Sequence, residues 1–257
     1  MSKMTIADIK QRLAAITDPS DSLLQELKDD PRKGVQQAIR QWEHRFQDRQ
    51  AAMAAFRERF KYENYYWRHG CRYVAGMDEV GRGPLAGPVV TCAVILDDSF
   101  DLVGVTDSKQ LTRQEREKLY LQIVNEAVEV SIAVNDRETI DRLNIYAATQ
   151  DAMMRSVRSL HHQPDHLIVD AVPLPKLAVP QTTLIKGDQK SISVAAASIV
   201  AKEYRDHLMR DYDRLYPGYG FADNMGYGTK QHLAGLKKLG ACPIHRRSFK
   251  PVPEYLR

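Results

Sequence analysis

The spacing of apolar residues along the 257-residue chain changes near residue 70. Downstream of that point, residues 89–96 read VVTCAVIL, a β-branched apolar run that is typical of a buried strand. Upstream, apolar residues recur close to every 3.6 positions, which predicts a long amphipathic helix; they are Val35, Ile39, Trp42, Phe46, Met53, Phe56 and Phe60. We therefore predict a helical module over residues 1–70 and an α/β domain over residues 71–257.

The second segment alternates between strand-like and helix-like stretches. Strands are predicted at residues 72–77, 89–96, 128–134, 166–169 and 182–185. Helices are predicted at residues 112–127, 144–160 and 190–215, followed by a C-terminal helical region that includes residues 230–239. This order indicates an α/β fold in which a mixed five-stranded sheet carries helices on both faces.

Composition narrows the class of protein. No apolar run reaches the roughly 18 residues of a membrane helix, and the charged N-terminus lacks a signal peptide's apolar stretch, so we expect a cytoplasmic protein without a membrane partner. The three cysteines are widely spaced, which favours neither a disulfide framework nor a zinc site. The formal net charge is +4. A monomer is the default expectation.

Residues 1–70 contain 13 Lys and Arg against 10 Asp and Glu, so they hold three of the four net positive charges. Two interpretations stay open for this excess. The helical module either adds electrostatic grip on nucleic acid through phosphate contacts, or it exposes an ordinary solvated charged face.

Four acidic residues fall where predicted strands end. Asp78 and Glu79 lie where the first strand meets a glycine-rich turn, and Asp170 ends the apolar strand HLIV. Asp188 follows the last strand and precedes the long helix, where it could instead be a helix cap. Ligands commonly bind at strand ends in open α/β sheets, so these four carboxylates form the candidate site.

Metal-assisted phosphodiester hydrolysis is the chemistry that requires such a cluster. Carboxylate oxygens suit Mg²⁺ or Mn²⁺, and two ions roughly 4 Å apart can activate a water and stabilise the leaving oxygen. The sequence contains neither GxSxG nor HExxH, the motifs of a serine hydrolase and a zinc protease.

The motifs of the second segment resemble those of ribonuclease HII, a type 2 ribonuclease H. The resemblance begins with YVAGMDEVGRGPLAGPVV and continues through TDSKQL, IVDAV, KGDQKSISVAAASIVAKEYRD, GYGT and PIHRRSF. It covers essentially all of residues 72–250, in order. It implies a ribonuclease H-like sheet domain, preceded here by the helical N-terminal extension that some bacterial members carry.

The resemblance also implies roles for individual residues. It assigns Asp78, Glu79, Asp170 and Asp188 to catalysis and to the binding of Mg²⁺ or Mn²⁺, with two ions expected when substrate is bound. It assigns contacts with the ribonucleotide to Gly81, Arg82 and Gly83, where glycines let backbone amides approach a 2′-OH closely. Tyr227 matches the tyrosine that stacks on the next sugar, and Lys109 is a weaker candidate for a phosphate contact.

The implied activity is endonucleolytic cleavage of the RNA strand of RNA/DNA hybrids and of single ribonucleotides embedded in duplex DNA. Cleavage falls 5′ of the ribonucleotide and leaves 3′-OH and 5′-phosphate ends. These substrates imply a role in ribonucleotide excision repair and primer processing.

Three other functions account for the sequence less well. A ribonuclease HIII-like hybrid nuclease has a sheet-containing N-terminal domain, whereas residues 1–70 read as helical. A non-catalytic nucleic-acid-binding protein would leave the carboxylates without a purpose. A dinucleotide-binding fold would need a helix after the glycine-rich turn, but Pro84 and Pro88 lead into a strand instead.

Overall fold

The computed structural model describes residues 4–256, which fall into two compact units. The first unit ends at Arg57 and is all helical. It contains α1 (Ile6–Ala15), α2 (Ser22–Lys28) and most of α3 (Lys33–Arg59). These helices bury a common core that consists of Ile9, Leu13, Leu24, Leu27, Val35, Ala38, Ile39 and Trp42. The predicted helical character of this part of the chain is therefore confirmed.

Local sequence signals set the ends of the first helices. Thr5 and Asp8 form a capping box at the start of α1, as their spacing predicted. Trp42 donates a hydrogen bond of 2.9 Å from Nε1 to the carbonyl of Ile16, which ties α3 to the end of α1. A buried indole N–H therefore has a partner while its ring fills the core.

The second unit begins at Glu58 and contains a five-stranded mixed sheet in the order β3-β2-β1-β4-β5. The strands are β1 (Val74–Val80), β2 (Val89–Ile95), β3 (Glu129–Asn135), β4 (His166–Asp170) and β5 (Gln181–Leu184). β1, β2 and β3 pair antiparallel, whereas β1, β4 and β5 pair parallel. The predicted fold class, a mixed five-stranded sheet with helices, is confirmed.

Helices cover both faces of this sheet. They are α4 (Lys61–Arg68), α5 (Arg113–Glu126), α6 (Arg137–Leu143), α7 (Ile145–Arg158), α8 (Ile192–Leu215), α9 (Phe221–Asn224) and α10 (Lys230–Leu239). Ala75 and Met77 of β1 pack in one core cluster with Met153 of α7. On the opposite face, Val74 of β1 packs with Val194 of α8. This alternation follows from the two-residue period of a strand.

Helix α8 lies unusually close to the middle of the sheet. A Cβ at Gly76 would overlap the backbone of Ser193 and Val194, so a larger residue in β1 would push the helix away. Tyr62, Tyr66 and Trp67 of α4 pack beside α8 on the same face. These three aromatic side chains are thus partly buried against the sheet, whereas Tyr65 of the same run is exposed.

The predicted domain boundary after residue 70 stays a prediction. In the structure, α4 belongs with the sheet and the compact units separate after Arg57. Strand β1 also extends to Val80, beyond the predicted end at residue 77. Asp78 and Glu79 therefore lie within the C-terminal part of the strand and not in the turn after it. Over the part of the chain that the structure describes, no helix is long and apolar enough to span a membrane.

Candidate active site

The central strands place two of the predicted carboxylates side by side. β1 and β4 pair in parallel with Met77 opposite Val169, so Asp78 and Asp170 follow at the same end of neighbouring strands. Asp78 lies two residues after Gly76 and Asp170 lies two residues after Ile168, and both of those positions face α8. Because side chains alternate along a strand, Asp78 and Asp170 are directed to the α8 face of the sheet.

Asp188 reaches the same place by a short 3₁₀ helix after β5. The Gly187 N–H donates a 2.8 Å hydrogen bond to Oδ1 of Asp170, which fixes the segment beside β4. A Cβ at Gly187 would lie 3.2 Å from Cγ1 of Val194, a tight contact, and 3.4 Å from Cα of Asp170, so the segment packs closely against both α8 and β4. Lys186 adopts the left-handed region at φ +57°, which turns the chain into this segment.

The alternative in which Asp188 caps the long helix is wrong. The N-cap of α8 is Ser191, whose hydroxyl accepts the Val194 N–H. The Asp188 carboxylate is instead 4% exposed and lies 3.7 Å from Nζ of Lys109. The Asp188 carboxylate therefore does not serve as a helix cap and can take part in a catalytic site.

Electrostatics shows that the acidic residues form one cluster. Burial raises the pKa of Asp78 well above its ordinary value, and the charges of Glu79 and Asp170 raise it further. Burial also raises the pKa of Glu79 and of Asp188, with the charge of Asp170 adding to both. Asp78, Glu79 and Asp188 therefore each lie within range of the Asp170 charge, although the four residues come from three separate segments.

Two cations compensate part of this negative charge. Arg82 Nη1 lies 3.2 Å from Oε1 of Glu79 and lowers the pKa that burial raises. The Lys109 side chain is 79% exposed. Burial acts to lower its pKa, but the charges of Asp188 and three other aspartates raise it overall. Both cations are thus drawn to the candidate site by its negative field.

Asp107 also belongs to this cluster, and the sequence reasoning did not assign it a role. It is 5% exposed, and its Oδ2 accepts a 3.2 Å hydrogen bond from Nε2 of Gln189. Its charge contributes to the raised pKa of Asp188. Its position in the TDSKQL motif, two residues before Lys109, was the available signal.

The cluster suits a hard divalent cation in its chemistry. Within residues 4–256, no three acidic, histidine or cysteine side chains form a ready-made metal-holding group. The donors are nevertheless carboxylate oxygens, and Oε2 of Glu79 is buried without a hydrogen-bond partner. A cation here would satisfy that oxygen and relieve the like-charge repulsion that raises the pKa values of Asp78, Glu79 and Asp188. Waters and a substrate phosphate supply further ligands to Mg²⁺ in such sites.

The glycine-rich turn after β1 lies beside Tyr227. Gly81 has φ +92°, a conformation that residues with a Cβ rarely adopt. A Cβ at Gly83 would lie 3.5 Å from the Tyr227 ring, which is itself half exposed. The structure thus brings together Gly83 and Tyr227, which the sequence had singled out separately for substrate contact.

Three comparisons relate the chain to known proteins. Residues 75–252 match the family model described as Ribonuclease HII, and residues 5–67 match Ribonuclease HII N-terminal domain. The ribonuclease HII of Limosilactobacillus reuteri (strain DSM 20016) is 74% identical over 256 residues, covering 100% of both chains. That of Enterococcus faecalis (strain ATCC 700802 / V583) is 50% identical, again over 100% of both.

Solved structures share the fold. The crystal structure of ribonuclease H2 from Pyrococcus horikoshii OT3 is 27% identical, with a TM-score of 0.62, and the match covers 71% of this chain and 96% of that one. A Bst ribonuclease HIII solved in complex with Mn²⁺ is 20% identical, with a TM-score of 0.53 over 71% of this chain and 68% of that one. The second similarity concerns the fold alone.

Proposed function

The chain belongs to the ribonuclease HII family and is a ribonuclease H endonuclease, and on that premise we propose that it cleaves 5′ of ribonucleotides in RNA/DNA hybrids and of single ribonucleotides within duplex DNA. The products are 3′-OH and 5′-phosphate ends. The observation that carries the proposal is the meeting of the buried carboxylate cluster with the Gly81–Gly83 turn and Tyr227. The cluster supplies the chemistry, and the turn supplies selection for a 2′-OH.

Asp78, Glu79, Asp170 and Asp188 are the residues that hold Mg²⁺ or Mn²⁺ in this proposal. Ions bound by these carboxylates would supply activation of the attacking water and stabilisation of charge on the leaving oxygen. The protein fixes the donor oxygens in advance: Asp78 accepts the Glu79 N–H at 2.7 Å, and Asp170 accepts the Gly187 N–H at 2.8 Å. Such fixed ligands spare the reaction the cost of ordering them.

Lys109 and Arg82 have a different task. Both are cations at the rim of the acidic cluster, so they offset the repulsion between the carboxylates and a phosphate backbone. The Lys109 side chain is 79% exposed and its Nζ lies 3.7 Å from Asp188, so it can turn towards a phosphate without leaving the rim of the cluster.

The proposed recognition of RNA depends on backbone amides and one aromatic ring. Gly83 allows a nucleotide sugar to approach the main chain closely, and Gly81 gives the turn its positive φ. The half-exposed Tyr227 ring is available to stack on the neighbouring sugar. A 2′-OH contact separates a ribonucleotide from a deoxyribonucleotide at the same position.

The direct test uses end-labelled DNA duplexes that differ by one ribonucleotide. The full chain is incubated with each duplex in Mg²⁺, in Mn²⁺ or in EDTA. We expect a single cut 5′ of the ribonucleotide in the presence of metal, and no cut in EDTA or in the all-DNA duplex. Absence of cleavage by folded protein in either metal, or cleavage in EDTA, contradicts the proposal. A hybrid with many consecutive ribonucleotides is measured alongside. Cleavage of that hybrid without cleavage of the single-ribonucleotide duplex would indicate a preference for long hybrids instead.

A further inference from the structure

Two arginines of the second unit are fully buried beneath the glycine-rich turn. Arg205 of α8 is 1% exposed and Arg246, in the C-terminal segment, is 0% exposed. In the portion of the chain described, neither forms a salt bridge with a carboxylate, which is uncommon for a buried guanidinium. By contrast, the buried Arg116 pairs with Glu203 at 2.7 Å and with Asp206 at 3.3 Å.

The two guanidinium groups donate to backbone carbonyls instead. Arg246 donates to Gly81 at 2.5 Å, Arg82 at 2.8 Å and Gly87 at 3.0 Å. Arg205 donates from Nε, Nη1 and Nη2 to three carbonyls, which belong to Pro88 (2.9 Å), Met225 (3.0 Å) and Ala86 (3.2 Å). Five of these six carbonyls lie in residues 81–88, and the sixth lies two residues before Tyr227.

The direction of these bonds determines where the amides of the turn point. In a planar trans peptide the C=O and the following N–H are antiparallel. Because Arg246 binds the carbonyls of Gly81 and Arg82, the N–H groups of Arg82 and Gly83 point away from it. Neither N–H has a protein acceptor among the described residues. Gly83 is itself exposed and lies beside the Tyr227 ring.

The fit between the turn and the arginines is close. A Cβ at Gly81 would overlap Nε of Arg205, and a Cβ at Gly87 would lie 3.2 Å from its Nη2. A backbone hydrogen bond also holds the end of the turn, since the Gly87 N–H donates to the carbonyl of Ile244 at 2.9 Å. The turn is therefore fixed from below, and its two unpaired N–H groups remain on the open side.

Charge adds to this arrangement. Burial lowers the pKa of Arg205 to about 10 and, with the charge of Arg205, that of Arg246 to about 9. Both side chains therefore stay protonated at neutral pH. Two buried positive charges without a carboxylate partner lie under the turn, and weak screening in the interior strengthens their field at its open side.

We propose that Arg205 and Arg246 are positioning residues that hold the residue 81–88 turn so that the N–H groups of Arg82 and Gly83 face the ribonucleotide. The proposal rests on the proposed function, because it assigns these amides to recognition of the 2′-OH side of the substrate. Neither arginine touches the substrate. They act through the backbone that they bind.

The test uses Arg246→Lys and Arg205→Lys, each of which retains a positive charge but loses the planar fork. Arg116→Lys is the matched control, because it alters a buried arginine bonded to α8 that has no contact with the turn. For each folded variant, KM and kcat are measured with the single-ribonucleotide duplex. The all-DNA duplex is added as a competitor to obtain its inhibition constant.

We expect Arg246→Lys and Arg205→Lys to raise KM for the ribonucleotide duplex about tenfold, while the inhibition constant of the all-DNA duplex changes less than twofold. Arg116→Lys should leave the ratio of the two constants unchanged, even if it lowers stability. A ratio that stays at the wild-type value in both folded lysine variants overturns the positioning role. Failure of the wild-type chain to cleave, by contrast, is a failure of the proposed function.

A second measurement does not depend on the variants folding. Amide hydrogen exchange of the wild-type chain in EDTA should show Arg82 and Gly83 slowed by the ribonucleotide duplex but not by the all-DNA duplex. Equal protection by both duplexes, or by neither, overturns the proposal. The same measurement extends to those lysine variants that fold. In the absence of any duplex they should lose protection at the Gly87 N–H, and the Arg116→Lys control should keep it.

Discussion

The Glu63 carboxylate accepts hydrogen bonds from both the N–H and the hydroxyl of Ser193, at 3.0 and 2.6 Å. Glu63 is fully buried on α4, and the same oxygen accepts the Ser191 hydroxyl at 2.5 Å. A side chain of the helix before the sheet therefore binds the N-terminus of α8, a few residues after Asp188. Burial raises the pKa of Glu63, while the hydrogen bonds from Ser191 and Ser193 and the N-terminal end of the helix favour its charged form.

Replacing Glu63 should therefore destabilise the second unit. Glu63→Ala leaves two hydroxyls and one N–H without their acceptor, and we expect a loss of roughly 2–4 kcal/mol in the free energy of unfolding. Glu63→Gln, which keeps an acceptor oxygen, should cost less. Urea unfolding measures both. Glu58→Ala is the control, since its side chain is 72% exposed and pairs only with Lys61 at the surface. Equal costs for Glu58→Ala and Glu63→Ala would refute the explanation.

Asp78→Asn should separate cleavage from binding. The substitution removes a metal-binding charge without changing shape, so we expect kcat to fall on the order of 10²-fold or more. Affinity for the duplex should persist, because one negative charge fewer faces the phosphates. Cleavage assays and fluorescence anisotropy measure the two quantities. Asp98→Asn, at an exposed position beyond β2, should behave as wild type. Retained activity in Asp78→Asn would rule out its metal role.

Tyr227 should act through its ring rather than its hydroxyl. Tyr227→Phe keeps the stacking surface and should change kcat/KM less than about threefold. Tyr227→Ala removes the surface and should lower kcat/KM by roughly 10-fold, near the low end of the about 1–3 kcal/mol that an aromatic ring contributes when it stacks on a base, because a sugar offers a smaller surface. Steady-state cleavage of the single-ribonucleotide duplex distinguishes the two. A large loss in Tyr227→Phe would show instead that the hydroxyl is required.

Stability should fall in acid because of His245. This residue is 1% exposed, and its Nε2 lies 2.9 Å from Nε2 of His232. Burial, together with the charge of His232, lowers the pKa of His245 from about 6.5 to about 4. Between pH 6.5 and about pH 4, His245 is therefore protonated in the unfolded chain but neutral in the folded chain.

The stabilising contribution is complete above pH 6.5 and is lost as the pH falls towards 4, by on the order of 3 kcal/mol. Urea unfolding between pH 7.5 and 4.5 tests this, with His245→Gln expected to flatten the slope. His69→Gln, at an exposed position, is the control and should retain the wild-type slope. An unchanged slope in His245→Gln would assign the acid sensitivity to other groups.

The exposed arginines of α3 offer a test of the helical module. Arg40, Arg45 and Arg49 are all exposed. If they contact phosphates, replacing all three with Gln should reduce the slope of log K against log salt by about 2–3, since each contact contributes about 0.9. Affinity measured across a salt series gives this slope. An unchanged slope would support the solvated-face interpretation.

Much of the fold could be predicted because its signals are local. The apolar run of β2 and the helical stripe of α3 each identify their element by periodicity alone. The helix α6 was not predicted, because a segment of seven residues spans only about two helical turns and is too short to show a helical period. The end of β1 was placed too early, because glycine and acidic residues read as a turn although pairing with β2 continues the strand to Val80.

The sequence by itself determined the residue types of the candidate site: two acids after a buried strand, two more before and after the last strand, and a glycine-rich turn. Only the tertiary structure decided which of them meet, because Asp78, Asp170 and Asp188 are joined by strand register and by the Gly187 hydrogen bond. It alone also revealed Arg205 and Arg246 as buried. Composition predicts exposed arginines, and only the packing of residues 81–88 against segments more than 100 positions away removes these two from water.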